Sequence, residues 1–400
     1  MRIDLTGAAV LLAGALDLER TATGLIPRRL PAWTRPRLTD PYLRLMVPRP
    51  AGVRLVLRTD ASTLELDVLV TRFRNAHFPF FPVEFDAVVD GGRVVSRPVL
   101  HGDRCVVRAG EVVETEHGPP ETIRFGGLGG GWKDVELWLP QAAVVELRGL
   151  RADGAVEPGR RQGPRWVHYG SSISQCAEAG GPASTWPARV ARRAGLDLTS
   201  LAFAGNCHLD PFVARTIRDL PADVVTLKVG VNVQNLDSFK ERTFGPALHG
   251  FLDTVRDGHP RTPLLVVSPI ICPTAEDRAG PTLQGGTGQY VARGGTDGLS
   301  LGRIRTLVEE VVAVRARDDP WLFQLDGRAL FGAADAGDLY DGLHPNAAGY
   351  ERIAERFHDQ VFGPSGLWPG LDGGPGERFR ERTAAVPGAA AEDCEAGVDT

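Results

Sequence analysis

The stretch WVHYGSSISQC, residues 166–176, passes from a short apolar run into a glycine and two adjacent serines. A brief apolar run that stops at a turn residue is the pattern of a buried strand. It is the first of a series. LTSLAF (198–203), VVTLKVG (224–230), LLVVSP (264–269) and WLFQLDG (321–327) repeat it, with helical patterns near 185–194, 211–219, 244–257, 300–316 and 346–361 between and after them. In the fourth of these, Leu301, Ile304, Leu307, Val308, Val311 and Val312 recur at helical spacing; in the last, Tyr350, Ile353, Ala354, Phe357 and Val361 share one face. Alternating strands and helices predict an α/β domain with a flavodoxin-like, doubly wound parallel sheet. Ligands on such sheets bind at the carboxyl ends of the strands, so the serines fall on the candidate active face.

Upstream the texture differs. VRLVLRTD (53–60), LELDVLVTRF (64–73), VEFDAVVDGGRVV (83–95), TIRFGG (122–127) and DVELWLP (134–140) are short, rich in Val, Leu and Phe, and several alternate apolar with polar residues. Asp90-Gly91-Gly92 separates two such runs as a hairpin turn does. This half predicts an all-β sandwich or jelly roll. The expected organisation is a β-sandwich accessory domain over 1–160, a catalytic domain over 161–362 and a flexible tail over 363–400, rich in Gly, Pro, Ala and Glu.

The 400 residues carry a net charge of -5, and the basic residues, nearly all Arg, are scattered rather than clustered. That excludes the basic footprint of a nucleic-acid binder. The five cysteines (Cys105, Cys176, Cys207, Cys272 and Cys394) have no CxxC spacing, which argues against a disulfide framework or zinc site and for buried thiols in a reducing compartment. AAVLLAGAL (8–16) has the apolarity of a signal-peptide core but weak flanks, and reads better as a buried strand. No run approaches the ~20 apolar residues of a membrane span. A cytoplasmic protein without membrane contact is expected; the oligomeric state is not legible.

Four strand-end loops carry chemistry. Gly170-Ser171-Ser172-Ile173 presents hydroxyls that need a base to become nucleophiles, or that merely cap the next segment. In Ala204-Gly205-Asn206-Cys207-His208-Leu209-Asp210-Pro211, Gly205 lets a backbone N–H approach a ligand or simply makes a turn. There His208 is a base or a satisfied polar group, and Asp210-Pro211 reads as a helix cap. In Gly230-Val231-Asn232, the Asn232 amide is an oxyanion donor or a turn residue. In Asp341-Gly342-Leu343-His344-Pro345-Asn346, an acid three residues before a histidine can orient the ring, or the segment only starts a helix. The long Gly-rich segment 271–298 reads as a lid, a substrate contact or a disordered insert.

Together these blocks resemble, in order and spacing over about residues 164–362, the four blocks of the SGNH or GDSL-type serine hydrolases. The resemblance implies Ser172 as nucleophile, His344 as general base and then acid, and Asp341 as its orienting partner. It implies an oxyanion hole made by the N–H of Ser172, the N–H of Gly205 and the side chain of Asn232. It implies no metal and no cofactor. Ser171 stands where the family usually has Asp, and Val233 where an Asp often follows the Asn; both changes make the pocket less acidic than usual. No G-x-S-x-G elbow occurs, which removes the main support for an α/β-hydrolase. The β half is similar to sandwich modules that precede the catalytic domain in some carbohydrate esterases and in some acyltransferases of polyketide tailoring.

The expected function is therefore serine-dependent hydrolysis of a small-molecule or carbohydrate ester through an acyl-enzyme. Two alternatives stand beside it: transfer of the acyl group to an alcohol of a natural product, and a non-catalytic carbohydrate-binding protein.

Overall fold

The computed structural model describes residues 1–75, 80–160 and 163–368. Most of the expected tail, and Cys394 with it, lies outside the described residues.

The first half folds as two facing sheets, one of eight strands and one of six. All their pairings are antiparallel except that of Leu64–Asn75 with Asp103–Arg108. The long strand Leu64–Asn75 obeys its sequence period: Leu64, Leu66, Val68 and Val70 are buried, while Glu65, Asp67 and Leu69 between them are partly exposed. The buried set meets Leu55, Leu57, Phe85, Ala87, Val135 and Leu137 of the facing sheet in one core. Each such side chain stabilises the sandwich by about 1.5–3 kcal/mol. The hairpin at Asp90-Gly91-Gly92 joins Glu84–Val89 to Arg93–Pro98, with Val89 opposite Arg93. Of the apolar run 8–16, only Leu11–Ala13 is a strand.

The second half is built on five parallel strands: Arg165–Gly170, Asp197–Ala202, Val224–Lys228, Leu264–Val267 and Leu322–Leu325. Numbered along the chain, their spatial order is 2-1-3-4-5, the flavodoxin-like winding. Helices cover both faces. Trp166 and His168 of the first strand meet Trp186, and Trp166 also meets Phe357, whereas Tyr169, one residue out of step, stacks on Phe251 with ring centroids 5.4 Å apart. Successive strand side chains point to opposite faces, so Trp186–Ala194 and Ala347–Val361 cover one side and Glu241–Gly258 the other. The direction of winding reverses between strands one and three, and their carboxyl ends flank the crevice where such folds bind ligands.

Two features differ from the expected organisation. The core of the parallel-sheet half includes Leu30, Leu38, Leu43, Met46 and Val47, which come from the β half of the sequence. The chain also stays packed beyond 362: Trp368 is 3 % exposed, and its backbone N–H donates to the Val361 carbonyl at 2.7 Å. The reason is apolar demand, since Phe323 and Phe362 present rings that Trp368 covers. Among the described residues no helix is long and apolar enough to cross a membrane.

Candidate active site

At the end of the first strand, Ser171 adopts extended backbone and accepts from the Ile173 N–H, capping a one-turn helix, Ser172–Gln175. This capping role is the bland reading of the serine pair, and Ser171 fulfils it. Ser172 is thereby the first helical residue, where a backbone N–H has no partner within the helix. Gly170 permits the tight turn, because a Cβ there would fall 2.4 Å from Ser174 Oγ.

The Ser172 hydroxyl lies 2.9 Å from His344 Nε2, across 172 residues of sequence. On the far side of the ring, Nδ1 is 2.8 Å from Asp341 Oδ2. The carboxylate can only accept, so Nδ1 carries the proton and Nε2 of the neutral ring accepts from Ser172. Asp341 is itself held by the N–H groups of Leu343 and His344, which donate to its Oδ1 at 3.0 and 2.7 Å. The i, i+3 spacing makes this possible because the turn before helix Ala347–Val361 folds back on its own carboxylate.

Burial pushes the Asp341 carboxyl up, but the hydrogen bonds from His344 and Leu343 outweigh it and leave the acid below its ordinary value. Burial alone would lower the His344 ring. The Glu178 carboxylate nearby and the bond to Asp341 overcome that, and the imidazole stands above its usual value. It is a base of enhanced strength.

Two further strand ends converge here. Gly205 has φ +70, and a Cβ there would meet no atom within 4 Å, so glycine is needed for the backbone conformation rather than for space. His208 Nε2 lies 3.0 Å from the Gly205 carbonyl and Nδ1 2.9 Å from Ser238 Oγ. Burial lowers its pKa, so the neutral ring donates to that carbonyl and fixes the peptide. His208 is thus a satisfied polar group outside the Ser172–His344 relay. Asn232 opens helix Val231–Leu236, and its Oδ1 accepts from the Cys207 N–H at 3.0 Å. With the amide oxygen engaged, the remaining group on that side chain is the N–H₂ donor. Among the described residues, the N–H groups of Ser172 and Gly205 have no partner. Asp210 precedes Pro211 as expected, but its side chain makes no capping bond. Burial pushes its carboxyl up to about 6.

The segment 271–298 is ordered against this site. Strands Thr282–Gln284 and Tyr290–Ala292 form a hairpin, the Tyr290 N–H donates to the Asp341 carbonyl at 2.8 Å, and the Tyr290 ring stands edge-on to His344. Four residues with no strand-end motif also belong here. Glu178 accepts from the Tyr350 hydroxyl at 2.8 Å, and its charge raises the His344 ring. Gln175 donates to the Gln141 carbonyl and Gln141 to the Cys176 carbonyl, both at 3.0 Å, tying the one-turn helix to the sandwich. Gln175 Oε1 then accepts from Ala204 N–H at 2.9 Å, beside Gly205. Arg29, wholly buried, donates to the carbonyls of Met46 and Ala202 and lies over Phe203, bracing the same loop. No local pattern marks any of the four, because each acts through a partner far away in sequence. Cys105, Cys176, Cys207 and Cys272 are buried free thiols, and burial pushes Cys207 up to about 12.

The arrangement places a hydroxyl on a strengthened base at the strand-end face, the pairing that acyl chemistry uses. Comparison with known proteins agrees. Among curated proteins there is no match. Residues 168–352 match the model of the GDSL-like lipase/acylhydrolase family. Among solved structures, the salicylyl-acyltransferase SsfX3 from a tetracycline biosynthetic pathway is 29% identical, with a TM-score of 0.74 over 89% of this chain and 95% of its own. A protein from Bacteroides ovatus described as a GDSL-like lipase is 21% identical (TM-score 0.61, 87% and 93% covered). A family two carbohydrate esterase from Clostridium thermocellum is 18% identical (TM-score 0.52, 77% and 90% covered). The last two likenesses concern the fold alone. With a sheet-rich domain ahead of its parallel sheet, the chain carries a GDSL-like lipase/acylhydrolase domain over residues 168–352 and is an enzyme, an ester hydrolase or a related acyltransferase.

Proposed function

We propose that the protein forms an acyl-enzyme on Ser172 and passes the acyl group to an alcohol of a small molecule, with water as the competing acceptor. The observation that carries this reading is the relay from Ser172 Oγ to His344 Nε2 at 2.9 Å and from Nδ1 to Asp341 at 2.8 Å.

In the first half-reaction His344 takes the Ser172 proton as Oγ bonds to the carbonyl carbon of an ester or thioester. The carbonyl electron pair moves onto oxygen, where the N–H groups of Ser172 and Gly205 and the Asn232 amide receive it. Collapse breaks the bond to the leaving group, which takes the proton back from His344. In the second half-reaction the acceptor hydroxyl gives its proton to His344, attacks the acyl carbon and displaces Ser172, which is reprotonated. Asp341 stabilises the imidazolium in both halves and does not itself take the proton.

Similarity to an acyltransferase along nearly the whole of both chains supports transfer over hydrolysis, the reverse of the order expected from sequence. Ester hydrolysis is the second reading, because the same relay serves water equally well. The experiment is a partition measurement: a p-nitrophenyl ester donor, a series of alcohols, and product analysis by mass spectrometry beside a Ser172→Ala control. Ester product above the level of the uncatalysed reaction is expected. Free acid alone, at every alcohol concentration, would assign the protein to the hydrolases.

A further inference from the structure

Between the two halves of the molecule lies a cleft of about 440 Å³. Val83, Glu84 and Gln141 line it from the sandwich; Glu178, Tyr340 and Asn346 line it from the parallel-sheet side. It adjoins the relay. The Tyr340 ring is 6.4 Å from the His344 ring between centroids, and Asn346 is two residues beyond that histidine.

Most polar groups of this lining are already engaged. Asn346 gives its N–H₂ to Asp338 and its oxygen to the Gly349 N–H. Gln141 donates to the Cys176 carbonyl. Glu178 spends one oxygen, Oε2, on Tyr350; Oε1 has no partner among the described residues. Burial raises the Glu84 carboxyl, as a largely apolar surrounding would. No Lys, Arg or His is among the described residues of the lining. What remains for recognition is the unpartnered carboxylate oxygen of Glu178 and the Tyr340 hydroxyl, set among apolar walls.

We propose that this cleft seats the acyl acceptor, and that the acceptor is an alcohol bearing a protonated amine, held by Glu178 with its apolar body against Val83 and Tyr340. The proposal rests on the acyl-enzyme reading above and names the substrate class of that site. An ammonium satisfies the free carboxylate oxygen with a charge-assisted bond, whereas a carboxylate on the acceptor would meet like charge with no cation to offset it. Glu178 is then a specificity residue, and its neighbour His344 receives the hydroxyl proton.

The test uses a p-nitrophenyl ester donor with three matched acceptors: 4-(aminomethyl)benzyl alcohol, 4-methylbenzyl alcohol and 4-(hydroxymethyl)benzoate. The p-nitrophenol burst reports acylation of Ser172 independently of the acceptor. The amine should be acylated about tenfold faster than the carboxylate, with the methyl compound between; tenfold corresponds to about 1.4 kcal/mol. Glu178→Gln should remove the advantage of the amine over the methyl compound, and Glu178→Asp should keep part of it. A merely structural carboxylate would leave the ranking of the three untouched. Equal acylation of all three, no acylation of any despite a burst, or a ranking unchanged in Glu178→Gln would each overturn the proposal. Absence of a burst in the wild type would refute the acyl-enzyme reading itself, and the acceptor site with it.

Discussion

Asn232 offers two substitutions whose expected rankings in rate and in stability are opposite. Its side chain is 2 % exposed and has two ends with different duties. The oxygen accepts from the Cys207 N–H, and the N–H₂ is the proposed donor to the oxyanion. Asn232→Ala removes both. Loss of one preorganised donor costs ~10²–10³ in kcat, about 2.7–4 kcal/mol. The orphaned, buried Cys207 N–H costs a further ~1–3 kcal/mol of folding stability. Asn232→Asp keeps an acceptor for Cys207 and so keeps most of the stability. It replaces the donor with negative charge, however, and two like charges ~4 Å apart at an effective dielectric constant near 20 repel by ~4 kcal/mol. The expected ranking in kcat is wild type, then Ala, then Asp; in thermal stability it is wild type, then Asp, then Ala. Steady-state kinetics on a p-nitrophenyl ester and thermal unfolding of the three proteins measure both rankings. An Ala variant with wild-type kcat and raised KM, or an Asp variant faster than Ala, would refute the donor role.

Three other predictions concern the base, the backbone and the two halves. His344 must be neutral to accept the Ser172 proton, and its pKa is raised, so kcat/KM should rise with pH through an inflection above 6.5 and fall away below it. Glu178→Gln should move that inflection down; a profile flat across neutral pH would contradict the assignment. Gly205→Ala should cost about 1–2 kcal/mol of stability through its positive φ and lower kcat more than it raises KM, as kinetics and unfolding would report. Deletion of residues 1–160 should yield insoluble protein. It strips Leu30, Leu38, Leu43, Met46 and Val47 from the second core, and at about 1.5–3 kcal/mol each their loss rivals the whole stability of a domain. A soluble, folded fragment by circular dichroism would refute this.

The fold and the candidate site were legible in sequence to different depths. The parallel sheet announced itself because its inner strands are buried on both faces and read as near-continuous apolar runs, as in VVTLKVG and LLVVSP. The site was legible where a strand end carries its own chemistry: Ser172, Asn232, Asp341 and His344 follow their strands directly or open the final helix. Gly205 was visible only as a glycine; its positive φ is a property of the folded loop. What escaped was tertiary. Glu178 sits among Ala and Gly residues with no periodicity, and only the folded chain sets it against His344 and Tyr350. Arg29 and Gln141 act across the boundary between halves. That boundary itself looked sharp near residue 160, because composition does not record that residues 30–47 pack against the other core.

The central claim is that Ser172 is an activated nucleophile, and intact mass after treatment with a fluorophosphonate probe tests it most directly. The wild type should gain the mass of one probe, and a folded Ser172→Ala protein should gain none. No adduct on the wild type, or an equal adduct on both, would contradict the account.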